Sequence, residues 1–128
     1  LTAIKQAILV LKSSKSTSAD KGLSLRILTH VVGDVHQPLH TVARVSSKYP
    51  NGDSGGNLFP LATNPIGINL HQYWDNGGGV LIGQANSFQV KNKAKQLEEK
   101  WSCKQASLLK KPEEWIHLSN QIAKNSVY

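Results

Sequence analysis

The chain has a single cysteine in 128 residues, Cys103, so no intrachain disulfide can staple it. One thiol also cannot build a cysteine-based zinc or iron–sulfur site, which leaves His, Asp, Glu and backbone groups to hold any metal. Long hydrophobic runs are missing as well, and none approaches the ~18 residues that would span a bilayer. Acidic residues are scarce, 8 against 15 Lys and Arg, for a net charge of +7. That balance points toward anionic partners, nucleic acid among them. With 39% hydrophobic and 18% charged residues the composition excludes intrinsic disorder. The length fits one domain, which should bury roughly two-thirds of its unfolded surface.

The positive charge gathers toward the C-terminus. Residues 91–128 hold eight Lys against four Glu, whereas residues 1–90 hold seven Lys and Arg against four Asp. The simplest reading of the excess is a solvated helix face. Lys91, Lys93, Lys95, Lys100 and Lys104 do not fall on one helical stripe, so charge alone does not make a nucleic-acid binder.

Hydrophobic periodicity predicts a mainly α chain. Ile4, Ala7, Ile8 and Leu11 place an amphipathic helix over Leu1–Lys12, and Ser13–Ser18 is a polar break. A second helix is expected from about Asp20. Its wide apolar surface (Leu23, Leu25, Ile27, Leu28, Val31, Val32) suggests a largely buried element that Pro38 limits. Thr41–Gly67 reads as a long loop rich in Gly, Pro and Asn, with a short hairpin around Asn57–Leu61. Loops of this length in compact domains usually have a functional reason. A short helix is expected around Asn69–Asn76, closed by Gly77, Gly78 and Gly79. Further helices are expected over Ser87–Trp101 and Pro112–Lys124, with Pro112 in a first helical turn.

Four of the five histidines and two of the four aspartates crowd into two windows, residues 30–40 and 69–75. In each window a His precedes an Asp by four residues: His30 with Asp34, and His71 with Asp75. Residues i and i+4 share a helix face about 5–6 Å apart at Cβ, so both side chains can grip one cation. Imidazole nitrogen with carboxylate oxygen suits zinc. His40 lies just past the helix-stopping proline, where the chain can aim a side chain back, and Gly33 leaves room for close approach beside Asp34. Any one of these histidines could be an ordinary surface residue. The combination is what points to a metal, because acids on an apolar helix are costly to bury without a cation.

The segment Gly33-Asp34-Val35-His36-Gln37-Pro38-Leu39-His40, then Gly55-Gly56-Asn57, then Asn69-Leu70-His71-Gln72-Tyr73-Trp74-Asp75, resembles the S1/P1 nuclease family. Its members are secreted, zinc-dependent nucleases and 3′-nucleotidases that prefer single strands, related to the zinc-dependent phospholipases C. The resemblance implies a helical domain of the phospholipase C/P1 nuclease type spanning residues 1–128. It further implies hydrolysis of single-stranded DNA or RNA, or of nucleotides, to products that keep a 5′-phosphate. Family members hold three zinc ions. By resemblance His30 ligates one, Asp34 bridges it to a second, and His40, His71 and Asp75 hold the remaining one. Asn76 aligns with a phosphate-contacting position. His36 belongs to the pattern without being a ligand, and His117 is expected on the surface.

The departures are equally specific. The family opens on a Trp that binds zinc through its amino group and carbonyl, closely followed by a His ligand, with a further Asp and His before the first helix seen here. No Trp precedes Trp74 and no His precedes His30. The chain is therefore expected to be an internal fragment that lacks the N-terminal ligands and the last helix, with about one complete zinc site and very low activity alone. The resemblance implies a secreted or periplasmic location. A phospholipase C of the same superfamily is the nearest alternative, though its second pair usually reads HxxxE. A zinc-binding helical module without catalysis is another. A phosphohydrolase of the HD type needs adjacent His and Asp, which this chain lacks.

Overall fold

Ile4, Ala7, Ile8 and Leu11 repeat at helical spacing, and the computed structural model winds them into α1, Thr2–Lys12. Residues 1–83, 86–100 and 111–128 are described. They fall into two compact units, one made of Leu1–Val42 with Lys111–Tyr128 and the other of Ala43–Lys110.

In the first unit α1 turns its apolar stripe inward, with Ile4 and Ala7 buried and Leu9 exposed. The second helix, α2 (Ser18–His36), starts slightly earlier than its apolar pattern suggests because Thr17 caps it. The Asp20 N–H donates to the Thr17 hydroxyl at 3.1 Å, and the Thr17 N–H donates to the Asp20 carboxylate at 3.0 Å. This reciprocal pair satisfies two backbone donors that the helix leaves open. The Thr17 hydroxyl, then its backbone N–H, hold the Asp20 carboxyl below the usual carboxylate range.

The expectation that α2 is largely buried does not hold. Only Ser24 and Val35 are buried, while Leu23 and Leu25 are more than half exposed. Ser24, Leu28, Val31 and Val35, all at least partly covered, follow an i, i+4, i+7, i+11 stripe. A helix apolar on several sides still has one stripe for its neighbours α1 and α5 (Pro112–Ile122). Gly33 is also less constrained than its position beside Asp34 suggests, since a Cβ there would meet nothing within 4 Å. Gly33→Ala is therefore expected to raise unfolding stability by about 0.5–1 kcal/mol, the helix-propensity difference. A urea titration reads this, and a loss of stability would show that the bare face of Gly33 is needed.

Gln37 ends α2. Its side chain accepts the Leu39 N–H and opens a short 3₁₀ turn over Pro38–Thr41 that carries His40. Leu39 in that turn is 2% exposed, and burial of such a side chain contributes roughly 1.5–3 kcal/mol. Helix α5 locks the turn in place: the buried Ser119 hydroxyl donates to the Val35 carbonyl at 2.6 Å, and the Asn120 amide donates to the Thr41 carbonyl at 2.9 Å. Regular α geometry stops at Ile122 rather than Lys124, and Ala123–Val127 continue as one wider π turn. His117 is exposed, as expected.

The second unit is organised around a loop. Asp53 is fully buried and meets the Arg44 backbone twice: the Arg44 N–H donates to its carboxylate at 2.9 Å, and the Asp53 N–H donates to the Arg44 carbonyl at 3.0 Å. Asn57–Leu61 does not close on itself as the expected hairpin. Instead Pro60 pairs antiparallel with Asn69, flanked by Leu61 N–H to Ile68 O and Leu70 N–H to Phe59 O. Proline offers no N–H, so it fits the side of a bridge where no ladder bond is needed. Asn69 then caps α3 (Leu70–Asp75), accepting the Gln72 N–H at 2.8 Å. A 3₁₀ turn over Gly77–Gly79 follows, with all three glycines at positive φ. Helix α4 covers Ser87–Lys100 and buries none of its residues. Its expected last residue, Trp101, lies outside the described residues, as do Cys103 and Lys104. Among the described residues no helix is long and apolar enough to cross a membrane.

Candidate metal centre

Each unit carries one of the two His-Asp windows. In the first, the i, i+4 spacing on the last turns of α2 sets His30 Nε2 3.2 Å from Asp34 Oδ2. The 3₁₀ turn after Pro38 brings His40 back, with Nδ1 3.8 Å from Asp34 Oδ1. Asp34 thus stands between two imidazoles, one carboxylate oxygen toward each. The His30 side chain is 77% exposed. His36, in the same window, faces elsewhere: its Nδ1 lies 2.7 Å from the Val32 carbonyl and its ring packs on Trp115 with centroids 5.5 Å apart.

In the second unit α3 places His71 Nε2 3.4 Å from Asp75 Oδ2. The other ring nitrogen, Nδ1, is 2.8 Å from the Gly55 carbonyl. The His71 side chain is only 19% exposed. A neutral imidazole that donates through one nitrogen presents a lone pair at the other, and here that other nitrogen faces a carboxylate. One nitrogen and one oxygen donor side by side fit a borderline-soft divalent ion such as zinc. Asn76 follows directly. Its side-chain amide donates to the Ile66 carbonyl at 2.6 Å and ties the 62–67 turn to the end of α3.

The sequence singled out Gly55-Gly56-Asn57 only as a block of residues, without a role for any of them. In the structure Ser54, Gly55 and Gly56 take φ of 55°, 62° and 82°. This left-handed run turns the Gly55 carbonyl to the His71 ring and the Gly56 carbonyl to the His71 N–H, the latter at 3.4 Å. Consecutive glycines are the one available signal, because they permit that backbone at little steric cost.

With the geometry in place, the comparison with known proteins decides the family. The S1/P1 nuclease family model matches residues 1–128, the whole chain. The chain belongs to the S1/P1 nuclease family. Its helical architecture accords with that membership. Two curated relatives are Endonuclease 4 of Arabidopsis thaliana, 40% identical over 53 residues, and Endonuclease 5 of the same plant, 43% identical over 53 residues. Each match covers 41% of this chain but only 15% of the first relative and 16% of the second. No solved structure matches the chain.

Proposed function

We propose that this chain carries part of the zinc centre of a nuclease that hydrolyses single-stranded nucleic acid and 3′-nucleotides to products bearing a 5′-phosphate. The observation that carries the reading is the pair of His-Asp clusters, each with an imidazole nitrogen 3.2–3.4 Å from a carboxylate oxygen, in a chain of this family. On this reading His40, His71 and Asp75 hold one zinc, while His30 and Asp34 contribute to the others, with Asp34 as the bridge. Bound zinc would supply a Lewis acid that offsets charge on the phosphoryl oxygens and acidifies water at neutral pH.

The remaining work falls to the residues themselves. Asp34 offers two carboxylate oxygens beside the His30 and His40 rings. Gly55 orients His71. Asn76 has two amide N–H donors, so one bond to Ile66 leaves the second to meet a phosphate oxygen. Both Arabidopsis relatives are named endonucleases, which supports phosphodiester cleavage. We further propose that residues 1–128 form a partial S1/P1 nuclease domain and that the protein is exported to the periplasm or outside the cell. A signal peptide in the reading frame checks the latter.

The deciding experiment assays the product of the entire reading frame on single-stranded DNA, single-stranded RNA and a phosphatidylcholine vesicle, with and without a zinc chelator. Release of 5′-nucleotides that is lost with chelator, and reduced at least 100-fold in Asp34→Asn, is expected. Release of phosphocholine in place of nucleotides would overturn the nuclease reading.

A further inference from the structure

We propose that the backbone carbonyl of Gly55 is a positioning group for His71, holding its ring as the Nδ1–H tautomer so that Nε2 is the metal-donating nitrogen. The inference rests on the reading of His71 and Asp75 as zinc ligands and adds to it a residue that supplies no donor atom itself.

Three observations within one unit converge on it. The first is the contact itself: Nδ1 lies 2.8 Å from the Gly55 carbonyl, well within hydrogen-bonding range. Carbonyl oxygen only accepts, so Nδ1 must carry the proton. The second is the direction of the ring, whose opposite nitrogen faces the Asp75 carboxylate at 3.4 Å. The third is the backbone that delivers the carbonyl. Ser54, Gly55 and Gly56 all lie at positive φ, and Ser54 is the only non-glycine residue with positive φ among the described residues. A left-handed conformation at a serine is uncommon and is held by its surroundings, which here means the docking of residues 55 and 56 on the first turn of α3. The Gly56 carbonyl accepts from the His71 N–H at 3.4 Å and from the Phe59 N–H at 3.1 Å, so the whole segment is anchored beside the ring. Both Gly55 and Gly56 are buried.

His71 is accordingly set before any ion arrives. The same logic separates it from His30, whose side chain is 77% exposed against 19% for His71. A ring fixed in tautomer and direction loses little freedom when it binds, and partners of this type usually change metal affinity by about 10–100-fold when removed.

The test has two arms. Long-range ¹H–¹⁵N correlation spectra of the zinc-free 128-residue chain at mildly alkaline pH report the tautomer of each neutral histidine. His71 is expected as Nδ1–H, and an Nε2–H form would overturn the proposal. The second arm measures affinity for zinc alone in Gly55→Val and in Gly83→Val. Gly83 also sits at positive φ, +97°, in the same unit, with nothing within 4 Å of an added Cβ, so its variant carries comparable backbone strain. Zinc binding is expected to weaken about 10–100-fold in Gly55→Val and less than about twofold in Gly83→Val. Equal affinities in two folded variants would overturn the role of Gly55. If Gly55→Val does not fold, the tautomer decides alone. Zinc binding that is indifferent to His71→Ala would instead sink the ligand reading underneath, a failure distinct from either of these.

Discussion

His71→Ala is expected to weaken zinc binding by more than about 100-fold while leaving the helices intact. The magnitude follows from comparison with outer-shell changes, which cost about 10–100-fold, since removing the donor atom itself must cost more. The fold should survive because alanine is a better helix former than histidine and α3 is held by other means. Asn69 caps its start, and the buried Leu70 anchors its first turn. Chelator competition reads the affinity. Thermal unfolding gives a second reading, because an ion that binds only the folded chain stabilises it by about 2.7 kcal/mol at one hundred times its dissociation constant. The unsubstituted chain should gain that amount with zinc, and the variant almost nothing. His117→Ala, on the exposed face of α5, is the matched control and should behave like the parent. Zinc binding unchanged in His71→Ala would remove this residue from the centre.

Gly67→Ala should clearly destabilise the second unit. A Cβ at Gly67 would lie 2.6 Å from the Tyr73 nitrogen and 3.0 Å from both the Gln72 carbonyl carbon and the Tyr73 Cα. These are backbone atoms of α3, which cannot swing aside as a flexible side chain would. The glycine cannot retreat either, because Asn64 holds it from both directions: its carbonyl oxygen accepts the Gly67 N–H, and its amide donates to the Gly67 carbonyl, each at 3.0 Å. Overpacking of this kind costs typically about 1–3 kcal/mol, and here the turn and α3 would have to separate. The expected result is a lower urea midpoint together with weaker zinc binding, since His71 rides on the displaced helix. A variant as stable as the parent would show that the turn can shift without cost. The contrast with Gly33→Ala is instructive, because the same methyl is expected to stabilise α2.

Periodicity made the helices legible. Apolar spacing located α1, α2 and α5, and the Asn69 and Gly77 boundaries framed α3 to within a residue. The burial of α2 was not legible, because apolar residues on several faces do not say which face finds a partner. The loop was misjudged for a related reason. Pro60 looked like part of a local hairpin, but its partner Asn69 is nine residues on, and such pairings follow from tertiary contacts rather than from local turn signals. Within the candidate centre, the i, i+4 rule was enough to foresee that His30 meets Asp34 and that His71 meets Asp75. The same rule is silent on backbone partners. A carbonyl has no letter in the sequence, so the role of Gly55 could only be seen once its φ and its distance to His71 were known.

The bond from the Asn76 amide to the Ile66 carbonyl also bears on how the protein ages. Asn-Gly sequences lose ammonia spontaneously when the backbone nitrogen of the glycine attacks the asparagine side-chain carbonyl, and this chain has two of them, Asn51-Gly52 and Asn76-Gly77. The attack needs the side chain to rotate onto its own backbone. At Asn76 the 2.6 Å bond to Ile66 and the position at the end of α3 hold the side chain away from that path. Asn51 is exposed in the loop. Stored protein should therefore accumulate damage at residue 51 first and keep the 66–76 tie for longer. Once residue 76 is converted to aspartate or isoaspartate, the amide donor is gone and a second carboxylate stands beside Asp75, so the turn would loosen and the charge next to the metal ligands would change in the same event.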